Sequence, residues 1–290
     1  MGTFFKDKSL QEAYDIEGYA STCMLSSDEV SQFLAELAKL NPEGGFAPSV
    51  SANIALPYHV SFLDSNQDYR RGVFKLVSDY FASKVREVLP DYHILNTSLI
   101  VKPPRHGLFP VHHDWSFLAD HAGKCMTIWC PLIDTNTENG TIHLLPGSNK
   151  VLKEIQTPKI PCCFHGFRED IVERWLQPIP TLAGHALLWD NHMIHWSGKN
   201  HTDDPRIAVQ ITCIPVHSQP VYFYYNEQRP YQFELIDADQ EFWLRTDHQE
   251  LFTRQPHWKS LGYVPNENRS LSITEFSELL RKRTGSCRTE

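Results

Sequence analysis

Apolar residues recur at helical spacing in three stretches of the chain. After Ser26-Ser27-Asp28-Glu29, a capping box, the residues Val30, Phe33, Leu34, Leu37 and Leu40 mark one helix face, with Asn41-Pro42 as its stop. A second helix is predicted over 67–89, with Val73, Val77, Tyr80, Phe81 and Val88 on one stripe and Pro90 beyond it. A third is predicted over 272–283. Between about 91 and 216 the pattern changes to short apolar runs: His93-Ile94-Leu95, Ser98-Leu99-Ile100-Val101, Met126-Thr127-Ile128-Trp129, Thr141-Ile142-His143-Leu144-Leu145, Ala186-Leu187-Leu188-Trp189 and Ile207-Ala208-Val209-Gln210-Ile211. Turn chemistry such as Glu138-Asn139-Gly140 and Leu145-Pro146-Gly147-Ser148 separates them. Many short strands with irregular connections predict an antiparallel sandwich or barrel of jelly-roll type. The stretch 217–255, rich in Tyr, Phe, Gln and acids, reads as a strand pair and cover segment.

These elements predict one α+β domain over 1–290, mainly β with flanking helices. It has N-terminal helices over about 1–90, a jelly-roll core over about 91–216, and a cover with a C-terminal helix over about 217–290. Length supports this, since 290 residues suit one large domain and no repeat or Gly/Ser linker divides them. No apolar run reaches the roughly 18–20 residues needed to cross a bilayer, and the N-terminus lacks a secretory pattern, so a cytoplasmic location with no membrane partner is expected. With 27 basic and 35 acidic residues the formal charge is −8, which repels phosphate backbones and argues against nucleic acid. None of the seven cysteines forms a C-x-x-C pair, which removes zinc-ribbon and thioredoxin-type motifs. No obligate protein partner is evident.

Histidine is the residue type that carries chemistry. Three His-x-acid triplets occur: His112-His113-Asp114, His201-Thr202-Asp203 and His248-Gln249-Glu250. On a strand, residues i and i+2 share a face, so such a pair can reach one ion. The second and third triplets lie in polar, charged runs that read as solvated. Only the first lies between an apolar strand and an aromatic segment, Trp115-Ser116-Phe117-Leu118. Two histidines and one carboxylate on one side of a metal are the ligand set of non-haem Fe(II) oxygenases. His195, ending the apolar run from Ala186, is the preferred third ligand, and His192 is its rival.

Four pieces in order over roughly 95–215 resemble the phytanoyl-CoA dioxygenase family of iron(II)- and 2-oxoglutarate-dependent oxygenases. They are Lys102-Pro103-Pro104 before His112-His113-Asp114-Trp115, Trp129 in Thr-Ile-Trp-Cys-Pro-Leu, Glu138-Asn139-Gly140 through Pro146-Gly147-Ser148-Asn149-Lys150, and His195-Trp196-Ser197-Gly198-Lys199-Asn200 with Arg206 eleven residues after the histidine. Asn149 departs from the histidine the family carries there.

The resemblance implies a double-stranded β-helix (cupin-like) core in which His112, Asp114 and His195 hold Fe(II). It implies that Arg206 pairs with the distal carboxylate of 2-oxoglutarate, Ser197 donates to the same carboxylate, and Trp129 walls that pocket; Lys102 is left without a role. The implied enzyme is a dioxygenase consuming O2 and 2-oxoglutarate and releasing succinate and CO2, with no catalytic residue beyond the metal ligands. Asp114 argues against the halogenases of this superfamily, which carry Gly or Ala at that position. The expected reaction is hydroxylation of a C–H bond in a small molecule, as in natural-product tailoring, and the negative charge favours a cationic or zwitterionic substrate. Residues 217–233 are expected to cover its pocket. The alternatives are an acyl-CoA 2-hydroxylase of the same family, a non-catalytic metal-binding jelly roll, and a zinc hydrolase.

Overall fold

The computed structural model describes residues 2–40, 46, 48–51, 54–120 and 124–284. Its centre is an antiparallel six-stranded sheet ordered β1 (Tyr19–Cys23), β10 (His185–Asp190), β7 (Met126–Pro131), β12 (Arg206–Pro215), β5 (Tyr92–Lys102) and β4 (His59–Val60). Facing it is a four-stranded sheet, β6 (Phe109–His112), β11 (His195–Ser197), β8 (Ile142–Leu144) and β9 (Gln177–Pro178). The two make the expected jelly roll. Strands 93–95 and 98–101 prove to be one strand, β5. A hairpin of β2 (Val50–Ser51) and β3 (Ile54–Ala55) precedes this core. A three-stranded sheet of β13 (Val221–Tyr225), β14 (Gln232–Asp237) and β15 (Ser260–Pro265) follows it.

The central strands are buried on both faces, and alternation sorts their side chains. Ile128, Cys130, Leu188, Val209 and Ile211 join the core beneath the helices, while Trp129, Leu187, Trp189 and Ala208 join a second cluster on the opposite face. The first cluster takes its other half from α2 (Ser27–Leu37) and α3 (Gln67–Val88) through Phe33, Val77, Phe81 and Val85. Ser26 caps α2 with its predicted box, and Asn66 caps α3. The Asn41-Pro42 stop lies outside the described residues. The C-terminal helix is α6 (Ile273–Thr284), following α4 (Arg168–Arg174) and α5 (Gln240–Arg245).

The N-terminal portion is more than helical. It adds a helix, α1 (Lys8–Glu17), and the edge strand β1, neither legible from periodicity. A buried carboxylate ties α1 to the core: Asp190 accepts from Tyr14 Oη (2.5 Å), Lys124 Nζ (2.6 Å), Asn149 Nδ2 (2.8 Å) and the His192 backbone N–H (2.9 Å). Burial alone would push the Asp190 carboxyl up, but His192 and Lys124 outweigh it and hold it well below the usual carboxylate range. Asn149, the departure from the family pattern, therefore serves this cluster. Asp190→Ala leaves the buried donors of Tyr14 and Asn149 without their acceptor and should cost about 3–5 kcal/mol in urea unfolding. A loss below about 1 kcal/mol would show that the cluster is not holding α1 in place.

Candidate active site

His112 and His195 reach one another through sheet register. His195 opens β11 directly opposite His112, the last residue of β6, and their rings lie 4.1 Å apart between centroids. His112 Nδ1 donates to Pro110 O (2.8 Å) and His195 Nδ1 to Met193 O (2.9 Å), each two residues back along its own chain. Both rings are thereby fixed in the tautomer that leaves Nε2 as a free lone pair. Burial and the adjacent His195 ring hold the His112 imidazole well below its ordinary pKa.

Asp114 does not arrive by strand alternation, because β6 ends at His112. It lies in the turn beyond and is aimed by the facing sheet. Thr127 Oγ1 on β7 donates to Oδ2 at 2.7 Å, Trp189 Nε1 on β10 to Oδ2 at 3.4 Å, and Gln210 Nε2 on β12 to Oδ1 at 3.2 Å. His112, Asp114 and His195 each offer one ligand atom, all within 4.8 Å of one another. The geometry suits a divalent ion with part of its coordination left open. The middle residue of the triplet turns away: His113 Nε2 meets Glu154 Oε1 at 2.7 Å in a buried pair.

The rival His192 lies outside the group of His112, Asp114 and His195, with Nδ1 3.5 Å from Asp190 Oδ1 and its ring stacked on His113. The second triplet is a surface feature, with Asp203 accepting from exposed Arg105.

A cavity lined by His112 and His195 also touches Trp129, Ser197, Gln210 and Arg206. Arg206 is 2% exposed, yet its Nε and Nη1 have no hydrogen-bond partner. Its guanidinium carbon sits 5.7 Å from the centre of the Trp129 ring. Burial pushes its pKa down to about 9. An unpaired buried guanidinium is costly, and a carboxylate is the group its planar fork matches.

Opposite Arg206 in register stands Lys102, fully buried, donating to Ser197 O (2.9 Å) and to Gly198 O. Burial, then the Arg206 charge, push its pKa down to about 5. The Ser197 hydroxyl donates to Gly140 O (2.8 Å), so its hydrogen is already engaged. Gly140 has φ +78°, and a Cβ there would stand 2.6 Å from Gly198 O, which explains glycine in the Glu138-Asn139-Gly140 turn.

The model of the Phytanoyl-CoA dioxygenase (PhyH) family matches residues 14–208. The chain belongs to this family. Phytanoyl-CoA dioxygenase domain-containing protein 1 of Danio rerio is 31% identical over 121 residues, 39% of this chain and 42% of the relative's length. Among solved structures, the non-haem α-ketoglutarate-dependent carbocyclase SnoK of nogalamycin biosynthesis superposes with a TM-score of 0.56 at 19% identity, covering 74% of this chain and 86% of SnoK. HygX of Streptomyces hygroscopicus, solved with nickel and 2-oxoglutarate, gives 0.52 at 15% identity over 73% of this chain and 88% of its own. These two likenesses establish that the family's jelly roll is the fold here.

Several site residues escaped sequence reading. Thr127 and Gln210 are polar positions inside otherwise apolar strand runs, a signal that was available. His248 was not legible: its charged neighbours suggest solvent, but it is 3% exposed. It lines a second cavity, of about 250 Å³, that reaches His112 and Asp114. Tyr58, Phe62 and Trp115 also line it, and residues 217–233 do not. That corrects the expected cover. In β13, Tyr222 instead donates to Leu251 O (2.6 Å) and packs on Trp243 and Trp258, in a cluster that joins the three-stranded sheet to Leu95 and Ile214 of the jelly roll.

Proposed function

We propose that this protein is an iron(II)- and 2-oxoglutarate-dependent oxygenase that hydroxylates a small molecule and releases succinate and CO2. The observation that carries the reading is Arg206. A buried guanidinium with unpartnered nitrogens lines the same cavity as His112 and His195, and 2-oxoglutarate has a carboxylate for each end of that cavity. A structural metal site or a zinc hydrolase has no use for such a clamp.

In this reading His112, Asp114 and His195 hold the metal, with the two histidines kept neutral and oriented by Pro110 O and Met193 O. The bound iron supplies activation of dioxygen coupled to oxidative decarboxylation of 2-oxoglutarate. Arg206 takes the distal carboxylate, and Trp129 closes the wall against water. Ser197 reaches that carboxylate only by giving up its bond to Gly140 O, so Ser197 is secondary to Arg206. In this reading the substrate would enter from the cavity lined by Trp115 and His248, which also reaches His112 and Asp114. Natural-product tailoring is the role proposed for it, since the nearby cavity suits a compact molecule and, among the described residues, no lysine or arginine lines it to hold a coenzyme A phosphate.

Adding Fe(II) and then 2-oxoglutarate to the metal-free protein under nitrogen tests this reading. A weak visible charge-transfer band is expected, and it should be missing in Asp114→Ala. Iron binding without a band would remove 2-oxoglutarate from the site. With substrate in hand, a product heavier by one oxygen atom means hydroxylation, and one lighter by two hydrogens means desaturation.

A further inference from the structure

The second cavity identifies a substrate class through its lining. Among the described residues, Asp114 is the only one lining it with a full formal charge, and in the proposed reading Asp114 is a metal ligand. Among the described residues, no lysine, arginine or glutamate lines it. The walls combine flat aromatic rings with neutral hydrogen-bonding groups. Trp115 and His248 lie parallel, 7° apart between planes with centroids 5.8 Å apart, and so form one stepped flat surface. Phe62 meets Trp115 edge-on at 6.0 Å.

Two of the neutral polar groups have capacity to spare. His248 Nε2 is paired with the Ser51 hydroxyl at 2.8 Å, but its Nδ1 is buried with no partner. Asn96 Nδ2 is likewise buried and unpartnered. Burial pushes His248 down to about 4, with Asp247 opposing that shift only in part, so the ring is neutral at ordinary pH. About 250 Å³ lies just below the range of cavities that enclose a drug-sized ligand.

Resting on the oxygenase reading for where this cavity leads, we propose that the substrate is an uncharged, flat ring compound carrying a hydroxyl or carbonyl oxygen, held against the Trp115–His248 surface. With Asp114 taken up by the metal, an ion of either sign would enter this cavity without a partner among the described residues, which burial disfavours strongly. This argues against the cationic or zwitterionic substrate that the net charge of −8 suggests. A flexible acyl chain gains less from a stepped aromatic wall than a rigid ring does. His248 is then a specificity-determining residue contributed from outside the jelly roll, by the segment between α5 and β15.

Calorimetric titration of the protein loaded with Zn(II) and N-oxalylglycine, so that Asp114 is not left as a free carboxylate, tests the proposal with matched probes. The probes are 2-naphthol (neutral), 2-naphthoate (anionic), 2-naphthylmethylammonium (cationic) and 1-heptanol (neutral and flexible). 2-Naphthol should bind at least about tenfold more tightly than each of the other three. His248→Ala should weaken 2-naphthol by about three- to tenfold, and His248→Phe, which keeps the flat wall, should weaken it less. A charged probe binding as tightly as 2-naphthol, heptanol binding more tightly, or no binding by any probe would overturn the proposal. The wild-type comparison among probes needs no variant to fold. These titrations contain neither iron nor 2-oxoglutarate, so their failure is separate from failure of the charge-transfer band.

Discussion

Asp114→Ala is expected to abolish 2-oxoglutarate turnover and to lower Fe(II) affinity beyond the 10–100-fold that changes around a metal's ligands commonly cost. The variant loses a hydrogen-bond acceptor as well as a candidate ligand. Thr127, Trp189 and Gln210, from three neighbouring strands of the large sheet, all donate to this carboxylate and would lose their common acceptor. Thr127→Val separates the two effects, because it keeps the ligand and removes its shortest support; it should weaken metal binding by about 10–100-fold while leaving some turnover. Succinate release and calorimetric iron binding measure both variants. Turnover in Asp114→Ala at ordinary iron concentrations would place the metal elsewhere.

Arg206→Ala should raise the 2-oxoglutarate concentration needed for half-maximal turnover by about one to three orders of magnitude. Its effect on the ligand-free protein should run the other way. The native fold holds a guanidinium out of water with Nε and Nη1 unpaired, and Lys102 is buried nearby. Removing that charge should leave thermal stability unchanged or raised, once the smaller cost of the cavity is set against it. A protein that bound 2-oxoglutarate as before would assign the carboxylate to another group. A protein that lost stability and affinity together would mark Arg206 as structural. Arg206→Lys should fall between, retaining charge and losing the two-pronged geometry.

The local features of this chain are written in its local sequence. The Ser26 capping box and the helix end before Pro90 depend on neighbours a few residues away, and both appear as expected; the alternation that sorts Ile128 and Cys130 from Trp129 is equally local. His112, Asp114 and His195 stand out as candidates for a related reason, because donor chemistry restricts which residue types a metal accepts, whereas Arg206 stands out only through the family resemblance; the structure brings all four to adjoining cavities.

Long-range placement is another matter. Helix α1 buries little of itself apart from Tyr14, whose partner Asp190 is 176 residues distant, so no periodicity announced it. Strand alternation does not account for how Asp114 joins His112 and His195, since the facing sheet aims it after β6 has ended. His248 reads as solvated among Asp247, Gln249 and Glu250, and becomes a neutral wall of a cavity only because Trp115 and Ser51 fold over it. A stretch of chain states which groups it carries; whether they meet water or one another depends on packing between distant segments. Desolvation at Arg206, Lys102 and His248 is therefore a property of the fold alone.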